Sequence, residues 1–200
     1  MGSLEKYLLA TNSIIDKEFL SFLISETNKN GFSPCKAEGY IIDKFNLVRR
    51  QQTIEKILKG FCIEHKKKLR VLDLGCGFGT MLIALEKRFT EIYGLEILED
   101  RVVWAKKRAP LSKIVCASST EIPWPHDYFD LIICEDVFEH MSPHDQGLAA
   151  DEMFRVLRKN GHTFVSVPNK YQIYDEHNHV QFTTLMPHIS RAKYVKIIGN

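Results

Sequence analysis

An apolar run that turns directly into three alternate glycines constrains this chain more than any other stretch. Residues 69–74 have the length and apolarity of a buried strand, and Gly75-Cys76-Gly77-Phe78-Gly79 follows at once, ahead of a helical pattern starting at Thr80. Glycines between a strand and a helix permit backbone angles that other residues resist, and they let a ligand approach the main chain. The N–H groups opening the next helix favour a negatively charged group. A tight turn needs only one of these glycines. Three at alternate positions, preceded by Asp73, point to a ligand loop.

Strands and helices alternate from there on. The pattern predicts a helix over 80–89, with Met81, Leu82, Leu85 and Phe89 inward, then a strand over 91–95. A helix over 98–108 ends before Pro110, and strands follow over 112–116 and 129–134. A helix over 145–158 carries the stripe Leu148, Met153, Phe154, Val156 and Leu157 and closes at Asn160-Gly161. A fifth strand, 162–167, stops at Pro168. Wholly apolar strands such as 129–134 suit a sheet covered by helices on both faces. The fold class is therefore α/β, a doubly wound, mostly parallel sheet. Ligands of such sheets bind beyond the carboxyl ends of the strands, which directs attention to the loops after the first, second and fourth.

Residues 1–65 have no strand run and read as a helical N-terminal preamble or lid, with the ligand-binding domain over 66–200. Its first helix, 14–24, has Ile15, Phe19, Phe22 and Leu23 at helical spacing, and 28–34 is a break. Its second, 45–62, carries Phe45, Val48, Ile54, Ile57, Leu58 and Phe61. After the fifth strand, 194–198 is a candidate sixth.

Composition narrows the partners. A net charge of +2 gives no reason to expect a general nucleic-acid binder or a membrane-surface protein. The basic clusters 66–68 and 106–108 read as solvated helix ends. Leu4 to Ala10 is too short to span a bilayer. Five scattered cysteines without a Cys-x-x-Cys pair suggest free thiols, and the expected location is cytoplasmic.

The glycine spacing also sorts the ligand. A dinucleotide loop has its third glycine three residues after the second, whereas here it follows by two. An acid two residues before the first glycine suits a cationic amino group better than a pyrophosphate. Glu96 ends the second strand, where a carboxylate can accept from both ribose hydroxyls. Charge-assisted bonds of that kind contribute roughly 1.5–3 kcal/mol each.

VLDLGCGFGT, YGLEI, IPWPHDYFDLIICEDVFEHM and EMFRVLRKNGHTFVSVPN resemble, in order, the motifs of class I S-adenosylmethionine-dependent methyltransferases. The resemblance covers residues 69–169 and implies the Rossmann-like methyltransferase fold. That fold usually continues past the fifth strand with a helix and two more strands, so the C-terminal strands read as shortened or missing, the chain as a fragment, or the rest as supplied by a partner; an exposed sheet edge would favour a homodimer. It implies that Asp73 and the loop Gly75, Cys76, Gly77 and Gly79 hold the methionine portion. Glu96 would then bind the ribose and Ile97 pack on the adenine. Ser118, Ser119 and Thr120 would line the adenine edge. Ser118 departs from the family, which often has Asp there. The loop after the fourth strand borders sulfonium and acceptor in this family, which puts Glu135 near the cofactor.

His140, in the same loop, has the titration range of a general base, with a structural histidine as the alternative. His177 and His179 beside two acids are a substrate-side base, a lid contact or ligands, and no further cluster supports a metal. Tyr171, Tyr174 and Phe182 wall an acceptor pocket or anchor the loop. Tyr40, Arg49 and Arg50 belong to the preamble, and the arginines read as surface residues, with pairing to a methionine carboxylate the alternative.

The expected function is methyl transfer from S-adenosylmethionine, leaving S-adenosylhomocysteine, to a small-molecule or sugar (glycan) acceptor at oxygen. The rivals are a non-catalytic S-adenosylmethionine-binding partner or regulatory subunit, and a protein or RNA methyltransferase. The loop 135–140 lacks the Asn-Pro-Pro-Tyr pattern of amino-methylating enzymes, which disfavours nucleic acid.

Overall fold

The structure is a computed structural model that describes residues 17–29, 47–63, 68–167, 174–175 and 180–181. Two helices precede the sheet, α1 (Lys17–Lys29) and α2 (Leu47–Gly60). The alternating part runs β1 (Arg70–Leu74), α3 (Thr80–Glu86), β2 (Glu91–Glu96), α4 (Glu99–Arg108), β3 (Lys113–Cys116) and β4 (Phe129–Glu135). A 3-10 turn (Phe138–His140), α5 (Pro143–Val156) and β5 (Leu157–Ser166) complete it. The five strands are parallel in the order β3-β2-β1-β4-β5. Chain order reverses between β1 and β4, so the crevice beyond their carboxyl ends is the switch point.

Alternation along each strand sorts the core into two layers. Val71, Ile92, Leu131 and Ile133 join Ile54, Ile57 and Leu58 of α2, Leu82 and Leu85 of α3, and Ala105 of α4. Leu72, Leu74, Tyr93, Leu95, Ile132 and Cys134 face the other way, toward Met153 and Val156 of α5. A smaller cluster joins Phe19 and Leu23 of α1 to Trp104 of α4.

Several boundaries differ from the sequence reading. α5 begins at Pro143 because Ser142 caps it: its Oγ accepts from the Asp145 N–H at 3.1 Å and donates to Asp145 Oδ2 at 2.7 Å. It ends at Val156 because Leu157 turns extended and pairs with Phe129. The register then jumps to Leu131↔His162, and Asn160, at φ 65°, turns the chain within that jump rather than capping a helix. The expected stripes are partly wrong. Phe154 is 83% exposed, Leu148 and Val48 are also exposed, and Ala149 and Leu47 take the buried positions. α3 ends at Glu86, although Phe89 is buried as expected.

Residues 174–175 and 180–181 form β6 (Tyr174–Asp175) and β7 (Val180–Gln181), an antiparallel pair where a loop was expected. Ile15, Cys35, Tyr40, Phe45, Tyr171, His177, His179, Phe182 and the candidate strand 194–198 lie outside the described residues. Cys62, Cys76, Cys116 and Cys134 are free thiols. Among the described residues no helix is long and apolar enough to cross a membrane.

Candidate functional site

The glycine loop leaves β1 and bends over the end of β2. Gly75 and Cys76 both donate their N–H to Leu95 O, at 2.8 and 3.0 Å, and Gly79 N–H reaches Cys76 O at 2.8 Å. Two glycines are required by what they touch. At Gly75, φ 77°, a Cβ would lie 2.4 Å from the Val137 side chain. At Gly79, φ 79°, it would press on the Ala105 backbone at 3.2 Å, so this glycine lets α4 approach the start of α3. Gly79 is therefore a packing residue, outside the cavity lining that Gly75, Cys76 and Gly77 share.

That lining encloses a cavity of about 720 Å³ beyond the carboxyl ends of β1, β2 and β4. Asp73, Glu96, Ile97, Ser118, Ser119, Thr120, Glu135 and His140 all border it. It also brings in Arg50, Phe78, Arg101, Asp136 and Met141, which the sequence reading did not assign to the site. Among the described residues the lining has five carboxylates (Asp73, Glu96, Glu135, Asp136, Asp145) against two arginines, a balance that suits a cation.

Each acid has a different environment. Asp73 is 4% exposed, and its Oδ2 is buried without a hydrogen-bond partner. Burial pushes its carboxyl up to about 8; Glu135 and Glu96 add to the push and Arg50 opposes it. Leaving such an atom unmet is costly, so it is a strong candidate to receive a ligand's donor. Glu96 is equally buried but well supplied: Oε2 accepts from Gly77 N–H at 2.9 Å, and Oε1 from Ile97 and Leu98 N–H at 3.0 Å each. These bonds hold the carboxylate at the cavity wall and leave lone pairs for hydroxyl donors.

Glu135 is tied by an ion pair and hydrogen bond to Arg50 of α2. Its pKa is raised, chiefly by burial, with Arg50 working against that. The Arg50 side chain is only 13% exposed, so the surface assignment from sequence is wrong for it. The helical stripe could not reveal this, because the partner lies 85 residues away.

The far end of the cavity is a serine–threonine turn after β3. Ser118 Oγ bonds Thr120 Oγ1 at 2.7 Å and accepts from Thr120 N–H at 3.2 Å, so its hydroxyl is engaged within the turn. Glu152 and Arg155 of α5 anchor the following segment. Glu152 accepts from Ile122 N–H at 2.7 Å, and Arg155 donates to Ile122 O and Trp124 O at 2.8 and 2.9 Å. His140 lies on the 3-10 turn with its side chain 65% exposed, 3.8 Å from Glu139 Oε1.

Residues 72–165 match the methyltransferase domain family. A probable S-adenosylmethionine-dependent methyltransferase of Mycolicibacterium smegmatis is 36% identical over 102 residues, 50% of this chain and 38% of that one. These residues are thus similar to class I S-adenosylmethionine-dependent methyltransferase domains. A ubiquinone biosynthesis O-methyltransferase of Pelagibacter ubique is 26% identical over 166 residues, 80% of this chain and 67% of that one.

The fold is shared with a putative S-adenosylmethionine-dependent methyltransferase of Methanococcus maripaludis, with TM-score 0.55 and 24% identity over 65% of this chain and 61% of that one. The chain spans between 38% and 67% of the length of the two curated relatives. The cofactor of such domains is S-adenosylmethionine, and the residues present fit it. The unmet buried oxygen of Asp73 suits its ammonium group. The Glu96 carboxylate, fixed by three N–H donors, suits ribose hydroxyls.

Proposed function

We propose that this chain transfers a methyl group from S-adenosylmethionine to oxygen on a small-molecule or sugar acceptor. The observation that carries the proposal is Asp73, buried at the carboxyl end of β1 with one oxygen unmet in a net acidic cavity. The acceptor class is supported by the relative named for O-methylation in ubiquinone biosynthesis and by the modest net charge, which disfavours a nucleic-acid substrate. The cofactor supplies a methyl group already activated by a positively charged sulfur. The protein therefore contributes mainly alignment, and a base when the acceptor proton is weakly acidic.

In this reading Asp73 takes the ammonium group of the methionine portion and Glu96 the ribose hydroxyls. Ile97, 64% exposed at the cavity edge, covers the adenine. Ser118 spends its hydroxyl on Thr120, which leaves Ser119 and main-chain groups for the adenine amino group. Arg50 is poised to exchange Glu135 for the methionine carboxylate. His140 takes the proton from the acceptor hydroxyl. A cytoplasmic location and self-association through the sheet edge complete the proposal.

Incubation with methyl-labelled cofactor and fractionated small metabolites tests it. Label in a phenol- or sugar-containing fraction, lost on His140→Ala, is the expected result. Cofactor binding without label transfer to any fraction would favour a regulatory binding subunit.

A further inference from the structure

Among the described residues, the smallest of the three apolar clusters touches the cofactor loop directly. Phe78 lies between Gly77 (φ 52°) and Gly79 (φ 79°), two residues with wide backbone freedom. Phe78 lines the cavity and also packs against the cluster of Phe19, Leu23 and Trp104. Phe19 and Phe22 of α1 meet the Phe78 ring edge-on, with centroids 5.4 and 5.9 Å away. Trp104 backs both, at 4.9 and 5.3 Å.

α4 completes the grip. The Arg101 guanidinium is 5.5 Å from the Phe78 centroid, and that of Arg108 is 4.5 Å from the Phe19 centroid. Arg108 also donates to the Phe78 carbonyl, and Lys107 lies 3.4 Å from Glu18 on the outer rim. Phe19 and Leu23 belong to neither of the two larger core layers. Among the described residues, the buried apolar contacts of α1 go to α4 and the cofactor loop.

We propose that Phe19 and Phe22 are positioning residues for the cofactor: acting through Phe78, they hold the glycine loop in its binding shape. This rests on the cofactor assignment above and adds to it a dependence of affinity on whether α1 is docked. Coupling of this kind is reciprocal, so the ligand must also hold α1 down.

Calorimetric titration with S-adenosylhomocysteine is the test. Phe22→Ala is expected to weaken binding about 5–20-fold, and Phe22→Leu to recover most of that loss. Val156→Ala, in the layer under α5, is the control: it lowers Tm and leaves affinity unchanged. Hydrogen exchange on the wild-type protein needs no variant. The ligand is expected to slow exchange of α1 amides, and Phe78→Ala to abolish that slowing. Unchanged affinity in Phe22→Ala, or α1 exchange indifferent to ligand in a wild type that binds, would overturn the clamp alone. A wild type that does not bind would overturn the cofactor assignment with it.

Discussion

The two ends of the same parallel strands carry two polar clusters of opposite character. At the amino ends, Tyr93 OH bonds Tyr128 OH at 3.0 Å and Glu91 at 2.9 Å, with Lys113 Nζ 3.3 Å away. Arg70 stacks on Tyr128 and gives its N–H to Asp130, which also pairs with Arg158 at 2.6 Å. At the carboxyl ends, Asp73 is buried beside Glu96 and Glu135, and one of its oxygens has no partner. The first cluster is satisfied within the protein and acts as a fastening. The second holds a polarity that folding alone does not compensate, as expected of a site completed by a ligand.

The largest expected effect comes from the unmet end. Asp73→Ala removes the acceptor for the ammonium group and is expected to weaken S-adenosylmethionine binding by about 10–100-fold, as for one charge-assisted bond. In calorimetry, full affinity in this variant would erase the contrast between the two ends.

The next effect concerns stability and pH. Burial raises the folded-state pKa of Asp73 from 3.8 to about 8. Between those values the folded state holds a proton that the unfolded state has released, so this group's contribution to stability falls as pH rises toward 8. Asp73→Asn carries no such charge. It should raise the Tm of the ligand-free protein at pH 8.5 by about 5 °C, with little change at pH 4. A Tm difference that does not vary with pH would show that Asp73 does not titrate in this range.

Glu96→Gln tests the acid that is already well supplied. It leaves a carbonyl oxygen to accept but removes the charge, and a loss of about tenfold in cofactor affinity is expected. The smallest effect belongs to the satisfied end. Tyr93→Phe should cost about 1 kcal/mol in denaturant unfolding and leave cofactor affinity unchanged. A weakened cofactor would mean that the two ends are coupled through β2.

Much of this was legible in the sequence because it is local. Val71, Leu72 and Leu74, like Leu131 to Cys134, put apolar side chains on both faces, so each stretch marks a buried parallel strand without outside information. Asp73, the glycines and Glu96 are legible for a similar reason: their roles follow from strand ends and spacing. What escaped depends on partners distant in the chain. Arg50 is a site residue only because Glu135 faces it. Phe154 fits the helical period yet points outward, because α5 is set on the sheet by Ala149, Met153 and Val156. α5 ends earlier than its sequence suggests because pairing of Leu157 with Phe129 overrides the turn propensity of Asn160-Gly161.

The most direct test is calorimetry of the wild-type protein and Asp73→Asn at pH 7.5 with S-adenosylmethionine, S-adenosylhomocysteine and NAD. The account predicts that wild type binds both adenosyl ligands at one site and not NAD, and that both affinities fall at least about tenfold in the variant. Binding of NAD alone, or equal adenosyl affinities in the two proteins, would contradict it.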